Sequence, residues 1–220
     1  MGTEVGEERR VQRVLEFFFD YGSPFSYLVD TQLADVARRT GAALAYRPML
    51  LGAVLKATGN RSPMEVPAKG AYMGVELQRW AKRYGVPFQA NPFSFRSNTL
   101  RLMRGAVASQ RLGIFAPYHR SVFDAVWRMP LDLGEEEVFR GLLRRAAIDP
   151  EWLFHAMEEK ETKDQLRRNS DEALERGVFG APTFFVGEEM FWGNDRLGWV
   201  EEALRGERKE TSMSTPEAKG

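Results

Sequence analysis

The hydrophobic period of this chain changes twice, and that restricts its fold more than anything else: strand-like runs near both ends enclose a long stretch with helical spacing. Val14 to Asp20, VLEFFFD, is a short aromatic and aliphatic run of the kind that forms a buried strand. It ends at Tyr21-Gly22. Ser23-Pro24 follows, a favourable N-cap with proline at the first helical position. The helix it starts turns Leu28, Leu33, Val36 and Ala37 inward and stops at Gly41. A second strand is expected from Ala43 to Pro48, so the chain opens β-α-β and the crossover implies a parallel pair.

The middle reads as helix. Gly59 to Pro67, GNRSPMEVP, is a loop, and Lys69 to Tyr84 has helical spacing at Tyr72, Val75, Leu77 and Trp80 before stopping at Gly85. Further helices are expected over Thr99 to Leu112, Ala116 to Trp127 and Glu135 to Ala147. Another is capped by Asp149-Pro150, and one from Glu161 to Arg176 ends at Gly177. The period then reverts. Thr183 to Val186 and Glu189 to Trp192 are short β runs joined by Gly187-Glu188, a hairpin signal, and a last helix runs from Arg196 to Leu204. No internal repeat is evident. The expected fold is α/β: a β-α-β…β-β-α sheet split by a large all-helical insertion. The expected division is 13–58 with 177–205 as one domain and 59–176 as insertion and connecting helix. Residues 1–12 and 206–220, polar and charged, are expected to be disordered ends.

Composition narrows the function classes. Hydrophobic residues make up 43% and aromatics 12%, enough for a full core at this length. Charges balance at 31 against 31, so nothing calls for nucleic acid or an anionic membrane as partner. No run of about 18 apolar residues could span a bilayer, and the first residues lack the apolar core of a signal peptide; a cytoplasmic location is expected. Cysteine is absent, which excludes disulfides, thiolate metal sites and a redox cycle on the protein's own sulfur. His119 and His155 lie far apart in helical stretches and read as surface or packing residues, so no metal site is expected.

Six segments, in order, carry a family resemblance: FDYGSPFSYL (Phe19 to Leu28), KATGN (Lys56 to Asn60), VPAKGAYM (Val66 to Met73), LQRWAKRYGVP (Leu77 to Pro87), VFGAPTFFVG (Val178 to Gly187) and FWGNDRL (Phe191 to Leu197). With them the chain resembles the 2-hydroxychromene-2-carboxylate isomerases and the kappa-class glutathione transferases, in the DsbA-like branch of the thioredoxin superfamily. The resemblance implies a thioredoxin-like fold, glutathione as cofactor, a homodimer, and a small aromatic or electrophilic molecule as substrate. It implies that Ser23, at the helix start where redox relatives carry a cysteine, stabilises the glutathione thiolate, with Pro24 and Phe25 of the first turn beside it. It implies a cis Pro182, with the Ala181 backbone pairing with the cysteinyl part of the tripeptide. Trp192, Gly193, Asn194 and Asp195 would hold the γ-glutamyl end, through N–H groups to its carboxylate and through Asp195 to its ammonium. Asn60 and Lys69 match tripeptide-contacting positions. Lys56 matches a lysine that faces the substrate carboxylate, and Phe93, with Phe95, Tyr72 and Phe25, could wall an apolar pocket.

Taken residue by residue, blander readings stand beside these. Ser23, Asn194 and Asp195 could simply cap helices, Pro182 could begin a strand, Lys56 and Lys69 could be solvated, and the aromatics could be core. SPFSY, KATGN and FWGNDRL lean to the isomerases, whereas GNRSP and VPAKG resemble the transferases as much. Disulfide exchange is removed by the lack of cysteine; a non-catalytic glutathione-binding module is the other alternative.

Overall fold

A computed structural model describes residues 12–93 and 98–207. Phe95 and nearly all of the two expected disordered ends lie outside the described residues.

The sheet holds four strands, β1 (Val14–Phe19), β2 (Ala43–Pro48), β3 (Thr183–Val186) and β4 (Glu189–Trp192), in the order β2-β1-β3-β4. β1 runs parallel to β2 and antiparallel to β3, which pairs antiparallel with β4. Side chains alternate across a strand, so β1 serves two cores. Leu15, Phe17 and Phe19 enter the larger one, with Phe17 stacked on Phe184 at 5.3 Å. Phe18 points the other way, into a smaller cluster with Met49, Val54, Ala173, Val178 and Phe185. A central strand covered on both faces reads as a nearly continuous apolar run, interrupted at the half-buried Glu16, which pairs with Arg47 and Arg176.

Helix α1 (Pro24–Thr40) connects β1 to β2 and ends at Gly41 in the left-handed conformation. After β2 comes α2 (Leu51–Ala57), then α3 (Pro67–Tyr84), α4 (Thr99–Arg111) and α5 (Phe115–Phe123), which runs on as one π-helical turn, Asp124–Arg128. The block closes with α6 (Glu136–Arg145), α7 (Pro150–Glu158) and α8 (Lys160–Glu175), and α9 (Leu197–Arg205) follows the hairpin. The architecture is a thioredoxin-like α/β sheet with a helical insertion. The inserted helices share the larger core with the sheet: Leu102, Met103, Tyr118, Val122 and Phe123 pack in one cluster with Phe17 and Phe19.

Leu51–Ala57, for which no element was expected, is helical. One expectation needs correction: Tyr72 and Val75 are exposed at 61% and 48%, although their spacing suggested burial. On α3 the inward stripe is Met73, Leu77, Trp80, Ala81 and Tyr84, steps of three and four residues from which Tyr72 and Val75 are rotated away. Among the described residues no helix is long and apolar enough to cross a membrane, and no group of three or more His, Asp or Glu side chains is placed to hold a metal ion.

Candidate active site

Ser23 stands where β1 hands over to α1, and it is buried. Its backbone is extended, as an N-cap requires, and its Oγ accepts the Ser26 N–H at 3.2 Å. The same hydroxyl donates to the Ala181 carbonyl at 3.2 Å, across 158 residues of sequence. Capping and the predicted site therefore coincide in one oxygen. The Ala181–Pro182 bond is cis. The Pro182 carbonyl accepts the Gly193 N–H at 2.9 Å, and Asn60 Nδ2 donates to the Phe179 carbonyl at 3.0 Å. The Trp192 ring packs on Phe179 at 4.8 Å and lies so close over Gly180 that a Cβ there would meet Nε1 at 2.6 Å. Ser23, Asn60, Ala181, Pro182, Trp192 and Gly193 are thus assembled by a few contacts around the cis bond.

The other predicted positions lie farther from this cluster. Gly193 has φ +106°, which strongly favours glycine, and leads into the short turn Asn194–Arg196 before α9. The final helix therefore starts at Leu197, and Asn194 and Asp195 belong to a tighter turn in front of it. Asn194 is buried, its carbonyl accepts the Tyr84 hydroxyl at 3.0 Å, and its Nδ2 has no partner among the described residues. Asp195 pairs with Arg196 at 3.1 Å, and that guanidinium also covers the Trp199 ring. Lys56, in the last turn of α2, and Lys69, in the first turn of α3, are both exposed, and no ion pair or hydrogen bond among the described residues ties either to Ser23. Pro24 and Phe25 are half-buried. Phe93 is also half-buried, and its N–H bonds Asn91 Oδ1 at 2.7 Å. An open cleft of about 650 Å³ lined by Arg13, Glu16, Glu172 and Arg176 includes none of these residues.

Several residues that hold the Ser23 turn were not foreseen. Asp20 is buried, and its carboxylate accepts the Gly22 N–H at 2.8 Å and the Leu51 N–H at 2.9 Å, so it clamps the turn to the start of α2. Burial raises its pKa above the ordinary 3.8, against those two hydrogen bonds, which lower it. His119, expected to be a surface or packing residue, is a buried hydrogen-bonding centre: Nδ1 meets the Tyr21 hydroxyl at 3.0 Å and Nε2 meets Asp30 Oδ1 at 3.0 Å. His155 is exposed. A signal for His119 was present in FAPYHRSVF, where Phe115, His119, Val122 and Phe123 share one helical face.

The raised Asp20 pKa has a pH consequence. The folded state keeps this proton where the unfolded chain has lost it, so the group's contribution to stability falls as pH rises from about 4 through the raised value. Asp20→Asn removes that slope. Relative to the wild type, the variant is expected to gain stability as pH rises above about 4 and to hold that gain once the raised pKa is passed, as read from the two denaturation midpoints; a difference that stays flat or runs the other way counts against a buried, destabilised carboxylate.

Comparison with known proteins bears on this site. A family model described as a DSBA-like thioredoxin domain matches residues 14–205. A 2-hydroxychromene-2-carboxylate isomerase from Sphingobium xenophagum is 35% identical over 197 residues, covering 87% of this chain and 98% of that protein. The chain belongs to the 2-hydroxychromene-2-carboxylate isomerase and kappa glutathione transferase family. Also similar is glutathione S-transferase kappa 1 of Rattus norvegicus, 27% identical, with 84% and 88% coverage. The solved structure of a 2-hydroxychromene-2-carboxylate isomerase superposes with a TM-score of 0.78 at 33% identity, over 87% of this chain and 94% of that one. A probable DsbA oxidoreductase from Streptomyces coelicolor, at 16% identity and a TM-score of 0.65, shares the fold. These curated relatives are isomerases and transferases, so the family is one of enzymes. In this chain, which has no cysteine, the α1 N-cap is Ser23.

Proposed function

We propose that the chain is a glutathione-dependent isomerase of the 2-hydroxychromene-2-carboxylate type, with Ser23 holding the thiolate of bound glutathione. The observation that carries this reading is the Ser23 hydroxyl itself, fixed at the first turn of α1 opposite the Ala181 carbonyl. The 35% identity to the isomerases across almost their whole length supports it.

The residues suit an anionic tripeptide. Ser23 Oγ can keep the Ser26 N–H and redirect its own proton from Ala181 to a sulfur, and the Phe25 N–H, an orphan of the first turn, has no acceptor among the described residues. The buried Asn194 Nδ2 is another unused donor, beside the turn assigned to the γ-glutamyl end. When bound at Ser23, glutathione would supply a nucleophilic thiol for reversible addition to a carbon–carbon double bond of the aromatic acid, which would free that bond to rotate. The chain's contribution is to make the ionised form prevail. A thiol of pKa near 8.5 is only a few per cent ionised at neutral pH. A hydroxyl bond to a charged sulfur contributes about 1.5–3 kcal/mol, less about 1 kcal/mol for the Ala181 bond given up. The helix N-terminus adds up to about 1 kcal/mol. At ~1.4 kcal/mol per unit, the sum lowers the thiol pKa by roughly one to two units. Ala181 offers its backbone to the cysteinyl part, and Asn60, Lys69 and Asp195 are assigned to the polar ends of the tripeptide.

Lys56 is assigned to the substrate carboxylate, with Phe93 against the aromatic ring. Lys56→Gln is expected to raise KM for the hydroxychromene acid about tenfold while leaving glutathione affinity within twofold. An unchanged KM removes Lys56 from the site. The reading as a whole is tested by adding 2-hydroxychromene-2-carboxylate with and without glutathione and following the ring-opened trans product. Turnover that needs glutathione in catalytic amounts supports the isomerase. Consumption of glutathione with a chloronitroaromatic acceptor, and none with the chromene acid, supports the kappa transferase, to which the 27% identity also points. Glutathione uptake without either reaction leaves a binding module.

A further inference from the structure

Every polar group of Tyr21, two residues before Ser23, is taken by a different part of the helical insertion. Its N–H points to Met103 Sδ of α4 at 3.4 Å, its carbonyl accepts Trp127 Nε1 of the π-helical turn at 2.8 Å, and its hydroxyl meets His119 Nδ1 of α5 at 3.0 Å. His119 is oriented in turn by Asp30 of α1. The imidazole spans the two, with Nε2 towards the Asp30 carboxylate and Nδ1 towards the Tyr21 hydroxyl. The Tyr46 hydroxyl also lies near Asp30, and the rings of Phe19, Phe115 and Phe123 close around the imidazole. The Tyr21 hydroxyl is fully buried and touches no open surface, and burial holds it protonated, so it donates rather than reacts.

We propose that Tyr21 and His119 are positioning residues through which the helical insertion sets the Ser23 hydroxyl for the bound thiol. The proposal rests on the thiolate role given to Ser23. Gly22 alone separates the two residues, in a turn closed by the Ser23 N–H on the Asp20 carbonyl at 3.0 Å, so a shift at Tyr21 passes to Ser23 through the backbone. A charge-assisted hydrogen bond weakens steeply with angle and distance, which makes the ionisation of the bound thiol the property that reads such a shift.

The test is the pH midpoint of thiolate absorbance of glutathione bound to the wild type, Tyr21→Phe, His119→Asn and Tyr118→Phe. Tyr118 is the control: a fully buried tyrosine of α5 whose hydroxyl donates to the Leu102 carbonyl at 2.8 Å, within the insertion, without bonding to the turn. Tyr21→Phe and His119→Asn are each expected to raise the midpoint by about half a unit to one unit, which is roughly 1.5–8-fold less thiolate at neutral pH, with glutathione affinity within twofold. The double variant should lose no more than either single one, because both remove the same link. If one variant fails to fold, the other still carries the test. Midpoints unchanged in Tyr21→Phe or His119→Asn, or shifted as far in Tyr118→Phe, overturn the positioning role while the Ser23 reading stands. A wild type that takes up no glutathione overturns both.

Discussion

Replacing Ser23 by alanine is expected to lower isomerase turnover at neutral pH about 2–20-fold while changing glutathione affinity by only a few-fold. On the proposed role the hydroxyl acts on the ionised sulfur and on little else in the tripeptide, so its loss should fall on the thiolate and not on the remaining contacts. The midpoint of bound-thiol ionisation should rise by about half a unit to one and a half units, back towards that of free glutathione. Stability changes as well, because the Ser26 N–H loses its cap and the Ala181 carbonyl its donor, at a cost of about 0.5–2 kcal/mol. Ser23→Thr separates the two effects. It keeps a hydroxyl at the N-cap and should retain most of the ionisation shift, so activity lost equally in both variants with an unmoved midpoint would mean that Ser23 acts as a cap alone. Above pH 9 the alanine variant should recover towards wild-type turnover, since the thiol then ionises unaided.

Gly105→Ala should be the most destabilising small substitution in the insertion. Helix propensity alone predicts the opposite, a gain of up to about 1 kcal/mol for alanine over glycine inside a helix. At Gly105 of α4, however, a Cβ would stand 2.0 Å from the Tyr118 hydroxyl oxygen and 2.4 Å from the ring carbon that carries it. That ring has nowhere to go: it is fully buried, and its hydroxyl is spent on Leu102. Overpacking costs about 1–3 kcal/mol and a displaced buried hydrogen bond about as much again, so the net is a loss of roughly 2–4 kcal/mol. For a chain of this size that corresponds to a drop in Tm of about 5–15 °C. Gly74→Ala on α3 is the matching control, because a Cβ there meets nothing within 4 Å and should stabilise slightly. A Gly105 variant as stable as the wild type would show that α4 and α5 do not cross where the structure puts them.

The strands were legible because the residues that form them are locally unambiguous. VLEFFF, the Thr183–Val186 and Glu189–Trp192 pair around Gly187-Glu188, and Ser23-Pro24 after Tyr21-Gly22 each carry their own punctuation. Helix α2 was not legible. Leu51–Ala57 is seven residues with Gly52 inside it, too short to form on propensity, and it is anchored from afar by Asp20 on the Leu51 N–H and Ser170 on the Leu50 N–H. The candidate site divides in the same way. Ser23, Ala181 and Pro182 stood out as a cap and a turn, and the family resemblance joined them. The support behind them did not, since Tyr21 and His119 are 98 residues apart and His119 and Asp30 are 89 apart, and no local pattern encodes such pairs. Tyr72 and Val75 mark the reverse error, in which apolar residues at helical spacing lie on the solvent side of an inward stripe that starts at Met73.

A crystal structure of the glutathione complex is the most direct measurement. The tripeptide sulfur is expected within hydrogen-bonding distance of Ser23 Oγ, with the cysteinyl backbone along Ala181 and the γ-glutamyl end at Asn194 and Asp195. Glutathione bound elsewhere, or with its sulfur turned away from Ser23, would contradict the account.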